Sequence, residues 1–136
     1  MKEIIAIVRM NKTNATKKAL VACGAAGFTA TKVSGRGRLV EDATVIAARK
    51  ADLMRLAETE DLLETEMLID GFLDGTRFFP RRIFSVAAHD QDVPKIVDAI
   101  IKANKTSYQV GDGKIFVTPL LEVYRVRTGE SGDAAI

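Results

Sequence analysis

Along the first third of the chain the spacing of apolar positions changes twice. Ile4, Ile5, Ala6, Ile7 and Val8 form an unbroken apolar run inside Lys2–Arg9, short enough for a strand and apolar on both faces, which predicts a β-strand covered on both sides. Ala15, Ala19, Ala22 and Cys23 then fall at helical spacing, with Thr13 and Asn14 as candidate caps and Gly24 and Gly27 as the stop. A second strand is predicted over about Phe28 to Ser34, ended by Gly35-Arg36-Gly37-Arg38, whose glycines permit unusual backbone angles.

The pattern is lost from about Leu39 to Phe79, far longer than the ~4 to 6 residues of an ordinary connection. Val45 to Leu56 and Leu62 to Phe72 are rich in helix formers, so short helices are expected there once something packs on Leu53, Leu56, Leu63, Met67 and Leu68. Acids dominate the interior of this stretch, while Arg77, Arg81 and Arg82 crowd its exit around Pro80.

Regular spacing returns with a third strand, about Arg82 to Ala88, and a helix opened by Asp90 or Asp92 with Pro94 in its first turn. Val93, Ile96, Val97, Ile100 and Ile101 give that helix an apolar face. A polar linker from Asn104 to Val110 leads to Gly111-Asp112-Gly113-Lys114, a strand over Ile115 to Thr118, and an extended piece near Val123 to Arg127. The order is βαββαβ plus a tail. Two right-handed βαβ halves of this kind make an α+β, ferredoxin-like sandwich: an open antiparallel sheet of four strands with both helices on one face. The apolar residues of the other face predict association with further copies.

Composition narrows the picture. With 136 residues and 47% apolar content, residues 1–136 are read as a single domain with a real core. The net charge of +2 supplies no global field for nucleic acid or anionic lipid. One cysteine, Cys23, excludes an internal disulfide and suits a reducing compartment. No apolar run approaches the ~20 residues of a membrane span, so a cytoplasmic protein without membrane insertion is expected.

Three segments carry glycines with cations. Gly111-Asp112-Gly113-Lys114 can turn backbone amides toward an anion, or form a tight turn with a solvated lysine. Arg125 and Arg127, two apart on an expected strand, project from one face either as forks for phosphate oxygens or as surface arginines bridging to acids. Gly35, Arg36, Gly37 and Arg38 make the third set. Catalytic equipment is thin: His89 reads as a boundary residue, Cys23 as a small core residue, and no nucleophile stands with a base.

In order, Lys2 to Val8, Gly27-Phe28-Thr29, Val33 to Arg38, Gly111-Asp112-Gly113-Lys114-Ile115-Phe116-Val117 and Arg125-Val126-Arg127-Thr128-Gly129-Glu130 resemble the PII family of nitrogen-regulatory signalling proteins. The resemblance covers the chain apart from the interior of the long loop. It implies a ferredoxin-like trimer that binds ATP or ADP between subunits, often with magnesium and 2-oxoglutarate, and that acts on targets through a protruding T-loop, here about residues 38–80, with a C-terminal tail of about residues 119–136. It further implies that Thr29 and the backbone beside Phe28 border the adenosine, and that Gly35, Gly37 and Arg38 lie near the phosphates. Gly111, Asp112, Gly113, Lys114, Arg125 and Arg127 complete that nucleotide-binding shell, and Arg36, Gly37 and Arg81 lie where 2-oxoglutarate would be held.

The chain departs from the family pattern at two places. A family glutamine that reaches magnesium falls at Leu39, which has no oxygen to offer. A glutamate near the adenine falls at Ser85. The loop has no tyrosine between Arg38 and Ser107, which excludes uridylylation of a loop tyrosine. Loop length, the Gly-Arg-Gly entrance and the exit Thr76 to Arg82 are most similar to the nitrogenase-associated PII subgroup, which inhibits dinitrogenase when fixed nitrogen is plentiful and works with a second PII-like chain. The expected role is therefore regulator, not enzyme, acting as a homotrimer or mixed oligomer on dinitrogenase. The alternatives are control of another enzyme or transporter, a small nucleotide-processing enzyme using the same cleft, or a scaffold subunit.

Overall fold

The computed structural model describes residues 1–37, 44, 78–107 and 111–136. The two helices expected within 45–72 lie outside the described residues. Four strands, β1 (Lys2–Arg9), β2 (Thr29–Gly35), β3 (Phe79–Ala88) and β4 (Gly113–Pro119), form one sheet in the order β2-β3-β1-β4. Every neighbouring pair is antiparallel. Two helices, α1 (Thr13–Ala22) and α2 (Val93–Asn104), complete the ferredoxin-like α+β arrangement.

Side chains alternate across a strand, so the register decides what is buried. Ile4, Ala6 and Val8 of β1 and Phe84, Val86 and Ala88 of β3 point to the helix side, where they meet Leu20 of α1 and Ile96 and Ile100 of α2. On the other face Ile5, Ile7 and Ile83 are only half-buried, and Phe116, opposite Ile5, is exposed. The expectation of a first strand covered on both sides therefore holds for one face among the described residues.

Both helices depart from their sequence reading. No side chain caps α1: a short 3-10 turn, Met10–Lys12, runs into it, and the Thr13 hydroxyl donates back to the Met10 carbonyl at 2.7 Å. Its inward face is Thr16 and Leu20, with Ala19 and Cys23 half-buried, whereas Ala15 and Ala22 are exposed. An alanine face is too shallow to fill the space above the sheet, so the leucine turns inward. The stop is Gly24, at φ 76, which lets the amides of Cys23 and Ala25 reach the carbonyls of Ala19 and Leu20.

In α2 the buried line runs Ile96, Ile100 and Asn104, and Ile101 is exposed. Asn104 is held by polar partners: its amide donates to the Thr16 hydroxyl and to the Ile100 carbonyl, each at 2.9 Å. The Thr16 hydroxyl donates in turn to the Lys12 carbonyl at 2.9 Å. This buried pair joins the two helices, with all its strong donors satisfied.

Strand β3 begins at Phe79, three residues before the expected start, and includes Pro80. Strand β1 ends opposite Arg81, so at Pro80 the sheet has a neighbour on the β2 side only. A residue without an amide hydrogen is tolerated at such a half-paired position.

Phe84 is 1% exposed and its ring lies 5.8 Å from that of Phe28. Phe84→Ala is expected to cost about 3–5 kcal/mol, read as a lowered denaturant midpoint at unchanged slope. Thr16→Val, which removes the acceptor for the Asn104 amide, is expected to cost about 1–3 kcal/mol in the same measurement.

Candidate functional site

The register gathers two of the three glycine-and-cation segments at one end of the sheet. Strand β1 leaves at Arg9, directly opposite Arg81; Val33 faces Arg81 from the other side, and Gly35 faces Phe79. Beyond β1, Gly113 pairs with Val8 and Lys114 with Ile7. The root of the long loop and the Gly111–Lys114 segment therefore share this end. They do not share an edge: β2 and β4 are the outer strands, three inter-strand steps or about 14 Å apart.

The 111–114 segment is built by a residue that sequence reasoning passed over. The Arg9 side chain, 7% exposed, donates from Nε to the Gly111 carbonyl at 2.9 Å and lies 3.2 Å from Asp112 Oδ1. Asp112 also accepts from the Thr106 amide at 2.8 Å and the Thr106 hydroxyl at 2.6 Å. Asp112, expected in the nucleotide shell, is thus engaged inside the chain, fastening the segment to β1 and to the end of α2. The available signal was a cation closing an apolar strand, which reads as an edge residue until its partner 102 positions away is in place.

Glycine is required at two positions here. Gly111 and Gly113 have φ of 96 and 124, and a Cβ on Gly113 would stand 2.1 Å from the Ile7 carbonyl oxygen. The close approach lets β4 start one residue before Lys114, whose side chain is exposed. By contrast Gly35 and Gly37 have no positive φ, and a Cβ on either would meet nothing within 4 Å. The unusual backbone angles expected of them are not present.

Arg36 and Gly37 follow β2 and are exposed, while Arg38 lies outside the described residues. Arg81 is half-buried with its guanidinium carbon 5.7 Å from the centre of the Phe79 ring, a cation–π distance. Phe28 packs its ring on the core, so only its backbone is left for a ligand; Thr29 is exposed opposite Ser85. The Ser85 hydroxyl donates to the Glu3 carboxylate at 2.7 Å, placing a β1 acid beside the position where the family pattern has a β3 glutamate.

The third segment is not at this end. Strand β4 finishes opposite Lys2, and the Leu120 amide donates to the Met1 carbonyl at 3.2 Å. The tail that follows ends in a 3-10 turn, Gly132–Ala135, with Asp133 Oδ1 3.4 Å from His89 Nδ1, just past the end of β3. Beside it Asp90 holds the Met1 ammonium at 3.1 Å, a hydrogen bond that keeps its carboxyl below the usual carboxylate range. Arg125 and Arg127 therefore lie toward the opposite end, about one strand length or ~20 Å away.

Nor do they stand on a strand. Tyr124 forms an isolated bridge with Ser131, residues 126–128 make a turn, and the Arg125 side chain pairs with Glu130 and donates to the Ala134 carbonyl at 2.9 Å. The period-2 reading of Arg125 and Arg127 is corrected by Gly129, which at φ 74 bends the chain back. Arg127 is exposed within that turn. No cluster of three metal-ligating side chains exists among the described residues.

The two-layer sandwich thus brings the loop root and the Gly111–Lys114 segment to one end of the sheet. The family description "Nitrogen regulatory protein P-II" matches residues 1–130, and the chain belongs to that family. It is 43% identical over 136 residues, 100% of this chain and 99% of the relative, to the "Nitrogen fixation nifHD region GlnB-like protein 2" of Methanobacterium ivanovii. The "Nitrogen fixation nifHD1 region GlnB-like protein 2" of Methanosarcina barkeri is 36% identical with the same coverage. The "Nitrogen regulatory protein P-II 2" of Methanothermobacter thermautotrophicus is 37% identical over 100% of this chain and 97% of its own.

Gly113→Ala is expected to destabilise the fold by about 2–3 kcal/mol, because a strained φ and a backbone collision coincide. A double-mutant cycle with Arg9→Met and Asp112→Asn is expected to show a coupling of about 1–3 kcal/mol in chemical denaturation.

Proposed function

We propose that the chain is a nitrogen-regulatory signal protein that binds ATP or ADP between copies of itself, or of a sibling chain, and controls a target through the long loop. PII family members are oligomeric regulators of nitrogen metabolism. The observation that carries the nucleotide reading is the division of the cationic segments. Lys114, Arg81 and the Gly35–Gly37 root stand at one end of the sheet, whereas Arg125 and Arg127 stand toward the other. One triphosphate is too small to touch both ends of one chain. A seam that sets one copy's tail against the next copy's loop root brings the sets together, and the half-buried Ile5, Ile7 and Ile83 beside exposed Phe116 supply an apolar surface for such a seam.

At the loop-root end, the backbone of Gly111–Gly113 and the Lys114 ammonium suit phosphate oxygens. Asp112, held by Arg9 and Thr106, fixes the segment's shape instead of reaching the ligand. Magnesium would enter on the phosphates of the nucleotide, because the acid of this segment is already occupied. Arg36 and Arg81 flank the loop root with forks suited to the carboxylates of 2-oxoglutarate.

A ligand that prefers one arrangement of the loop root shifts the loop between target-bound and released forms by its differential affinity. The names of the relatives place them in nitrogen-fixation gene regions, which favours dinitrogenase as the target, inhibited when fixed nitrogen is plentiful. A cytoplasmic site of action follows from such a target.

Calorimetry with ATP, ADP and 2-oxoglutarate tests the reading. ATP or ADP is expected to bind a sedimenting oligomer, and Lys114→Ala is expected to weaken that binding about tenfold, the worth of one charge-assisted hydrogen bond. A monomer that binds neither nucleotide would refute it. Deletion of residues 45–72 is expected to leave nucleotide affinity within about twofold while abolishing target inhibition, since distant, independent sites act additively.

A further inference from the structure

Glu130 closes the C-terminal tail onto Arg125. Its Oε2 receives Arg125 Nη1 and, at 2.8 Å, the Thr128 hydroxyl. The backbone repeats the closure: the Arg125 amide donates to the Glu130 carbonyl at 2.8 Å, and the Gly129 amide donates to the Arg125 carbonyl at 2.8 Å. One step outward, the Gly132 amide reaches the Val123 carbonyl at 2.9 Å, and Arg125 Nη2 reaches the Ala134 carbonyl at 2.9 Å. The guanidinium is thus gripped on two sides, by a carboxylate and by the terminal 3-10 turn. Between these contacts the chain bulges outward as the turn that carries Arg127, which makes no ion pair with the described residues.

We propose that Glu130 is a positioning residue for the nucleotide site: working through Arg125, it holds the turn that presents Arg127 toward the phosphates of an ATP or ADP bound at the seam. This deepens the nucleotide reading above and rests on it. An isolated ion pair at this exposure contributes little. Here, however, the pair is joined to two further side-chain hydrogen bonds, from Thr128 to Glu130 and from Arg125 to Ala134, and to the backbone bonds from Arg125 to Glu130 and from Gly129 to Arg125, and such networks are worth more than their parts. Ordering the turn in advance removes part of the entropy that ligand binding would otherwise lose.

The sign of the effect separates positioning from competition. A carboxylate beside an anionic ligand repels it, and a carboxylate that occupies an arginine fork competes with phosphate for it; on either ground Glu130→Gln should tighten binding. Positioning requires the reverse.

The test uses the full chain and calorimetric titration with ATP and ADP. Glu130→Gln is expected to weaken binding about five- to tenfold, the loss of one charge-assisted contact, with a melting temperature near that of the unmutated protein. In an Arg127→Ala background the same substitution is expected to cost less than about twofold, because the group it positions is gone. Unchanged or tighter binding by Glu130→Gln, or full additivity with Arg127→Ala, overturns the proposal. Amide exchange on the ligand-free protein keeps the two readings apart: faster exchange at Gly129 and Gly132 in Glu130→Gln establishes the clasp without any nucleotide, and unchanged exchange refutes it. If the unmutated chain binds neither nucleotide, the nucleotide reading fails, and Glu130's part in binding fails with it.

Discussion

The rest of the structure depends on the antiparallel register of β1 between β3 and β4. With Ile4 opposite Val86 and Val117, and Ala6 opposite Phe84 and Ile115, every second residue of the first strand faces the helices. A slip of one residue would send Ile5 and Ile7 inward and expose Ile4 and Val8. Because β1 is central, its register also sets where the loop root and the Gly111–Lys114 segment stand relative to each other. The two fastenings at its far end, Arg9 on Asp112 and the close approach of Gly113 to Ile7, serve this same alignment.

That alignment separates as much as it joins. The chain order places β2 and β4 at opposite edges and sends the tail away from the loop root, so the cationic segments of one copy cannot meet on one small anion. On the proposed nucleotide reading, a triphosphate would be bound between copies. Ligand binding and assembly then become linked equilibria, since anything that binds the assembled form alone stabilises it. Among the described residues, the sheet face that carries no helix and the separation of the cationic segments both follow from this topology.

The tail shows how a polar cluster can substitute for a core. Residues 121–136 bury no apolar side chain: Leu121 and Val126 are almost wholly exposed, and Tyr124 is largely so. What shapes the segment is Arg125, Glu130, Thr128 and two glycines at positive φ, Gly129 and Gly132. Order of this kind is local and only marginally stable.

Local pattern was enough to determine the four strands, the two helices and their order, because each was written in runs or spacings over fewer than a dozen residues: the apolar run of β1, Pro94 ahead of Ile96 and Ile100, and the glycines around Lys114. It was also enough to single out the three cationic segments. It misled where the outcome depends on a distant partner. Leu20 and Thr16 face inward in place of Ala15 and Ala22 because the sheet below α1 needs volume and Asn104 needs an acceptor. Arg9 and Asp112 look like an edge cation and a candidate ligand until folding brings them together. Arg125 and Arg127 read as strand neighbours until Gly129 turns the chain back to Glu130. Only the tertiary structure could decide which segments share an end of the sheet, because strand order and register are properties of pairings between residues far apart in sequence, and no single segment carries them.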